Sequence, residues 1–213
     1  MATAVRAALM RGGTSKGLFL RAADLPSRLR AQIPMAGGGK RAGGGVKSDL
    51  EVFIASALGC DRYGMQLDGV GAGISSTSKV VIVEQSSRPG HDVDYTFGQV
   101  DMQSGEVDWS GSCGNLASAV GLFAIEEGLV KKPSRSSSTL PHTDARDIDT
   151  TSTTVNVFQT NLKYTMQVTV ASAAEPADMG IPGIEAFGRP ISVNFLNPTV
   201  ANLPLLPSGE RPP

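Results

Sequence analysis

The sequence predicts a mixed α/β (α+β) fold built on short strands, and three observations carry that reading. Glycine accounts for 25 of 213 residues while aromatics make up 5%, a composition that suits tight turns and close backbone approaches better than a helical bundle. Short β-branched or alternating apolar runs recur, among them Val80 to Val83 and the alternation Tyr164, Met166, Val168, Val170. One segment, Leu116 to Glu127, has clear helical spacing, with Leu116, Ala119, Val120, Phe123 and Ala124 repeating on one face.

In chain order, Val5 to Met10 and Leu18 to Arg21 are strand candidates joined by the loop Arg11-Gly12-Gly13-Thr14-Ser15-Lys16-Gly17. Leu25 to Ala31 suits a short helix, and Met35 to Lys47, with two triple-glycine runs, reads as a flexible surface insertion. Asp49 to Leu58 has helical spacing through Leu50, Phe53, Ile54 and Leu58. A glycine-rich stretch, Gly69 to Gly73, leads through Ser75-Ser76-Thr77-Ser78-Lys79 into the buried strand Val80 to Val83. Val93 to Met102 is the next strand, with Gly105 marking the turn after it. Gly128 suits termination of the Leu116 helix. Lys131 to Thr153 is polar and reads as an exposed linker. Thr154 to Gln159 and Tyr164 to Val170 form an expected hairpin, and Ile191, Val193 and Phe195 repeat the alternation.

Bulk properties exclude several functions. Hydrophobic residues at 40% and charged residues at 18% are an ordinary globular balance, and a net charge of −1 offers no broad cationic surface for nucleic acid. An anionic ligand would therefore need a local site. No apolar stretch is long enough to span a bilayer, so no membrane partner is expected. Cys60 and Cys113 are too few and too far apart for a disulfide scaffold or a four-ligand zinc site, and read as reduced, cytoplasmic thiols. Neither glycine-rich loop matches a phosphate-binding pattern. His91 and His142 lie in polar loops, which argues against a histidine triad or a histidine metal site.

Three segments can carry chemistry. In Asp108-Trp109-Ser110-Gly111-Ser112-Cys113-Gly114-Asn115 a cysteine flanked by small residues precedes a helix. Free amides at a helix start favour an anion, and the same positive end favours thiolate over thiol, which makes Cys113 a candidate base or nucleophile. Asn115 or Ser112 would cap the helix. The same residues suit a capped helix beside a structural cysteine equally well. In Ser75-Ser76-Thr77-Ser78-Lys79, hydroxyls and amides can hold carboxylates while a desolvated lysine can act as a base; a solvated polar loop is the competing reading. Arg11 can grip a carboxylate with two prongs, or can simply be a surface charge beside a glycine turn.

Together these motifs resemble the PrpF family. Met10 to Gly17 matches its first signature. Gln66-Leu67-Asp68-Gly69-Val70-Gly71-Ala72-Gly73, running to Thr77-Ser78-Lys79-Val80, matches the second, and Asp108 to Gly111 with Cys113-Gly114-Asn115 the third. Ile191 to Pro198 and Leu205 to Gly209 are similar to the segment that closes the mid-chain part. The resemblance implies a diaminopimelate epimerase-like fold, a sheet wrapped around a central helix, with Met1 to Arg11 as a first strand rather than a targeting peptide. It implies residues 1–133 as an N-terminal domain, 134–153 as a polar linker and 154–213 as the start of a second domain, largely missing here. It also implies a cofactor-independent isomerase, with no metal, that shifts a double bond or exchanges cis and trans forms in a small unsaturated di- or tricarboxylate.

By position, the resemblance assigns proton transfer to Lys79 and an active-site thiol to Cys113. It assigns carboxylate binding to Ser75, Ser76, Thr77, Gly114 and Asn115, and a lining role to Arg11 and Ser15. Ser112 stands where the family commonly has asparagine, which removes an amide donor. Family members are longer. A one-walled cleft would lose enclosure, so a carboxylate-binding or accessory protein without turnover is the alternative, and an exposed half-interface would favour homo-oligomers.

Overall fold

The computed structural model describes residues 4–34, 46–130, 134–137, 151–171, 181, 183–184 and 188–196. Strands β1 (Ala7–Gly12) and β2 (Ser15–Arg21) lead through a single 3-10 turn (Ala22–Asp24) to helices α1 (Ser27–Arg30) and α2 (Asp49–Leu58). A second 3-10 turn (Ser75–Thr77) precedes β3 (Lys79–Gln85), β4 (Val93–Val100) and β5 (Val107–Asp108). Helix α3 (Gly114–Glu126) follows, then β6 (Ser134–Ser137), β7 (Thr151–Gln159), β8 (Tyr164–Ala171) and β9 (Ile191–Leu196).

These strands form one sheet ordered β1-β2-β3-β4-β7-β8-β9, with β5 on β4 and β6 on β7. Helix α3 packs against β1 and β2 at one end of that path and against β7, β8 and β9 at the other. A flat sheet cannot touch one helix with both ends, so the sheet curls around α3. Strand pleating then sorts the side chains. Phe19, Val81, Val83, Tyr95 and Phe97 face inward onto Leu116, Val120 and Phe123 of α3, joined by Val155, Met166 and Val168 from the far side of the curl. Leu18, Leu20, Val80 and Ile82 face outward and are covered by Leu50, Ile54 and Leu58 of α2 with Trp109.

Local signals set the helix ends. Ser48 and Glu51 close a reciprocal capping box on α2, and Gly59 ends it at φ 75°. The two principal helices fall where periodicity puts them, α3 starting two residues earlier. The expected helix over 25–31 is reduced to the four residues of α1. The insertion over 35–45, the stretch 138–150 and the closing segment 205–209 lie outside the described residues.

The linker and second-domain boundary need correction within the described residues. Ser134–Ser137 and Thr151–Thr153 belong to paired strands, not to a linker. Strand β7 pairs in parallel with β4, Val93 opposite Val157, and β7 and β8 contribute to the same inner core as β2 to β4. The reason is apolar surface: without Val155, Val157, Met166 and Val168, one side of α3 would face water. Among the described residues, no helix is long and apolar enough to cross a membrane.

Gly121 marks a tight approach of α3 to β8. A Cβ built there would lie 2.5 Å from Val168 Cγ1 and 2.8 Å from its Cβ. Replacing glycine by alanine in a helix interior ordinarily gains about 1 kcal/mol. Here the clash meets a stiff β-branched side chain, and overpacking costs roughly 1–3 kcal/mol. Gly121→Ala is therefore expected to lower stability in urea denaturation. A midpoint at or above that of the parent would show that this contact is not tight.

Candidate active site

Strand parity gathers the polar residues at one end of the inner face. Ser15 and Gly17 share the inward side of β2 with Phe19, Lys79 shares that of β3 with Val81 and Val83, and Gln99 that of β4 with Tyr95 and Phe97. Lys79 and Gln99 are direct partners across the β3–β4 ladder. Gly17 makes room beside them: a Cβ there would lie 2.8 Å from Leu116 Cδ1, 3.2 Å from the Lys79 carbonyl oxygen and 3.4 Å from Lys79 Cβ.

Lys79 is buried, at 7% exposure. Its Nζ donates to the Ser75 carbonyl at 2.7 Å and to Gln99 Oε1 at 2.5 Å. Both partners are uncharged. Burial lowers the ammonium pKa below the ordinary lysine value, and the nearby Cys113 acts in the opposite direction. Cys113 is the one ionisable side chain among the described residues that acts on it electrostatically. The Cys113 Sγ lies 3.7 Å from Ser15 Oγ, and Ser15 sits two residues, about 7 Å, along β2 from the glycine that touches Lys79. Thiol and ammonium thus flank the same stretch of one strand face.

Cys113 occupies the N-cap of α3, and its side chain makes no capping bond. The first intrahelical bond runs from Ala117 N–H to the Cys113 carbonyl. The amides of Gly114, Asn115 and Leu116 therefore precede the ladder. Neither expected cap forms. Ser112 Oγ instead bonds the Tyr164 hydroxyl at 2.8 Å, and Asn115 Nδ2 donates to Thr14 Oγ1 at 3.1 Å. Tertiary partners have taken both side chains, leaving the helix start open to an anion. The Gly12-Gly13 turn lies directly against it: a Cβ on Gly12 would be 2.3 Å from the Asn115 carbonyl oxygen, and Gly13 adopts φ +52°.

The approach to Cys113 is fixed from behind by Asn161, at the β7–β8 turn. Its Nδ2 donates to the carbonyls of Phe97 and Trp109, and its Oδ1 accepts from Phe97 N–H. Trp109 in turn donates through Nε1 to Glu51 Oε1 at 3.3 Å. Gln66 fixes the other approach: its Oε1 accepts from Gly73 N–H and Ser78 Oγ ahead of Lys79.

Not every expected residue joins the cluster. Arg11 is exposed and alternates with Ala8 and Met10, which pack inward, so it points away from α3; its Nη1 lies 3.4 Å from the Thr14 carbonyl. Thr77 Oγ1 donates its single hydrogen to the Ile74 carbonyl, so it has none for a carboxylate. Ser75 contributes its carbonyl rather than its hydroxyl. Ser15, Ser112, Cys113, Gly114 and Asn115 do meet at the α3 start. Cys60 follows the Gly59 cap of α2, as a structural cysteine would, and burial raises its pKa.

Three residues of this cluster escaped sequence reasoning: Gln99, Tyr95 and Tyr164. Tyr95 is fully buried, its hydroxyl lies near Ser112 and the Cys113 backbone, and it reaches hydrogen-bond geometry with no described residue. Burial raises its pKa well above 10. Tyr164, also raised by burial, bonds Ser112 and packs 5.8 Å from the ring of Phe195. Their inward parity on alternating strands was the available signal.

A separate cavity of about 430 Å³ shares Ser75 and Gln99 with this cluster but is lined by neither Lys79 nor Cys113. Glu51, Asp101, Glu106 and Asp108 against Lys47 make its walls acidic, which disfavours a polycarboxylate there.

The PrpF protein family model matches residues 2–211, and the chain belongs to the PrpF family. It is 39% identical over 198 residues to the 2-methyl-aconitate isomerase of Cupriavidus necator and 38% identical over 199 residues to that of Shewanella oneidensis, covering 91% of this chain and 44% of the relative in each case. A crystal structure of a methylitaconate-delta-isomerase is similar at 29% identity and a TM-score of 0.59, over 86% of this chain and 39% of the other. The chain thus spans less than half the length of these relatives.

Removing the Tyr95 hydroxyl tests the packing beneath Cys113. A buried hydroxyl without a partner costs about 1–3 kcal/mol of desolvation. Tyr95→Phe is expected to be at least as stable as the parent in thermal denaturation. A drop of several degrees would mean the hydroxyl is bonded in solution.

Proposed function

We propose that this chain is a cofactor-independent isomerase of a small unsaturated polycarboxylate of the aconitate or methylaconitate type, on a diaminopimelate epimerase-like fold. The observation that carries the reading is a buried lysine with a lowered pKa beside a helix start whose leading amides are open. The names of the relatives supply the substrate class.

In this reading the neutral Lys79 amine takes a proton from the carbon next to the double bond. The C–H electron pair spreads through the double bond onto a carboxylate. Negative charge grows on the carboxylate oxygens, and the amides of Gly114 and Asn115 stabilise it as it develops. Return of the proton at the other end of the delocalised system shifts the double bond; rotation before return exchanges cis and trans. Cys113 faces the same guest as a second proton-handling group. Ser15 and Ser112 orient the carboxylates through hydroxyl hydrogens, and Ser75, Ser76 and Asn115 line the rim. Thr77 acts through the shape of its turn.

Incubating the chain with a panel of unsaturated di- and tricarboxylates in deuterated water, followed by NMR, tests this directly. Deuterium incorporation with a shifted or isomerised double bond is expected for at least one acid. Binding without exchange would instead leave a carboxylate-binding protein. Lys79→Ala is expected to lower the exchange rate at least 100-fold, the usual scale of general acid–base catalysis; an unchanged rate would remove Lys79 from the mechanism.

The pH dependence follows from the sign of the shift. A lysine base works only when neutral, so kcat/KM rises with pH through its pKa. Because burial lowers that pKa, the rise is expected below the ordinary lysine value of 10.5. A rate that falls as pH climbs through this range would contradict the assignment.

A further inference from the structure

Gln99 makes three hydrogen bonds, and together they lock its orientation. Its Nε2 donates to the carbonyls of Ser75 at 3.1 Å and Ser78 at 3.0 Å. Carbonyls only accept, so flipping the amide would set Oε1 against two other oxygens. Oε1 is thereby fixed toward its ladder partner Lys79, 2.5 Å from Nζ.

The consequence lies in the geometry of an amine. A neutral amine has two hydrogens and one lone pair. The Ser75 carbonyl and Gln99 Oε1 are two acceptors, one for each hydrogen. Both hydrogens are then engaged within the protein, and the lone pair must occupy a remaining tetrahedral direction. We propose that Gln99 is a positioning residue that aims the reactive face of Lys79 into the site and, being an amide rather than a carboxylate, leaves the ammonium without an anion to hold its proton. The β2, 3-10 and β4 neighbours of Lys79 agree with the second half of this role, while Cys113 at the α3 end acts the other way. Beside it β2 presents Gly17, the 3-10 turn presents the Ser75 carbonyl, β4 presents Gln99, and the α3 end presents Cys113. Among these groups there is no carboxylate; Asp108 of β5 is the ladder partner of Gln99 on the side away from Lys79.

This inference rests on Lys79 as the proton-transferring group, so its test has an arm that needs no turnover. The rate at which Lys79 in the full chain reacts with an amine-selective acylating reagent, followed against pH by peptide mass spectrometry, reports its neutral fraction. Gln99→Glu keeps the size and adds a charge. Below the pKa it is expected to cut labelling of Lys79 about tenfold or more, because an adjacent opposite charge favours the ionised form. It should move the rise of kcat/KM to higher pH in step. Gln99→Leu removes the acceptor, and is expected to lower kcat about tenfold or more with little change in KM, without slowing the labelling. Unchanged labelling in Gln99→Glu would overturn the proposal even if no acid is turned over. Unchanged kcat in Gln99→Leu would overturn the aiming role. Normal labelling shifts in a chain with no isomerase activity would instead fault the assigned reaction and leave the Lys79–Gln99 geometry standing.

Discussion

A cation buried without an anion is the constraint around which this end of the molecule is arranged. Taking an ammonium out of water is costly unless its hydrogens are satisfied, and Lys79 meets that cost with a backbone carbonyl and an amide oxygen. Both acceptors have to be held still. The Ser75 carbonyl is held by the 3-10 turn, which is secured through Ser78 to the buried Gln66. The amide oxygen is held by Gln99's own bonds to Ser75 and Ser78. The result is a closed ring of neutral groups around a charged one. In the proposed reading, the remaining direction on Nζ faces the ligand.

The curl of the sheet puts an anion-favouring surface opposite that cation. Because α3 touches both ends of the strand order, its start comes over the inner faces of β1 and β2. The Gly12-Gly13 turn lets it settle there at backbone contact. Asn161 and Trp109 then fix the loop that carries Cys113. Neither half of the site is complete alone. A helix start is a weak anion site in water, and a lone buried lysine would lose its proton. In the proposed reading, an acid bearing several carboxylates satisfies both.

Much of this was legible in the sequence, because pleat and helix periodicities respond to the same burial that folds the chain. The alternation in β8, the β-branched run of β3 and the apolar face of α3 all lie where that logic puts them. So do Lys79, at the start of a buried strand, and Cys113, before a helix. What escaped depends on partners far along the chain. Ser112 and Asn115 look like caps by local rules, and only the arrival of Tyr164 and Thr14 diverts them. Gln99 reads as one more polar residue at a strand end until its ladder partner is known. The continuation of the sheet into β7 was hidden because β4 and β7 are separated by about 50 residues containing a helix and a polar stretch. Arg11 is a different case. Its phase opposite Ala8 and Met10 in β1 turns it away from α3, and that phase is readable in the sequence.

The central claim is that the α3 start and Lys79 bind one anionic guest together. Titrating the isotopically labelled full chain with an unsaturated tricarboxylate, while following the Gly114 and Asn115 amides and the Lys79 side-chain nitrogen by NMR, tests it most directly. The account predicts that all three signals move along curves with a single dissociation constant. Movement of the amides with Lys79 unperturbed, or two separable constants, would mean that thiol-side and lysine-side groups do not share a ligand.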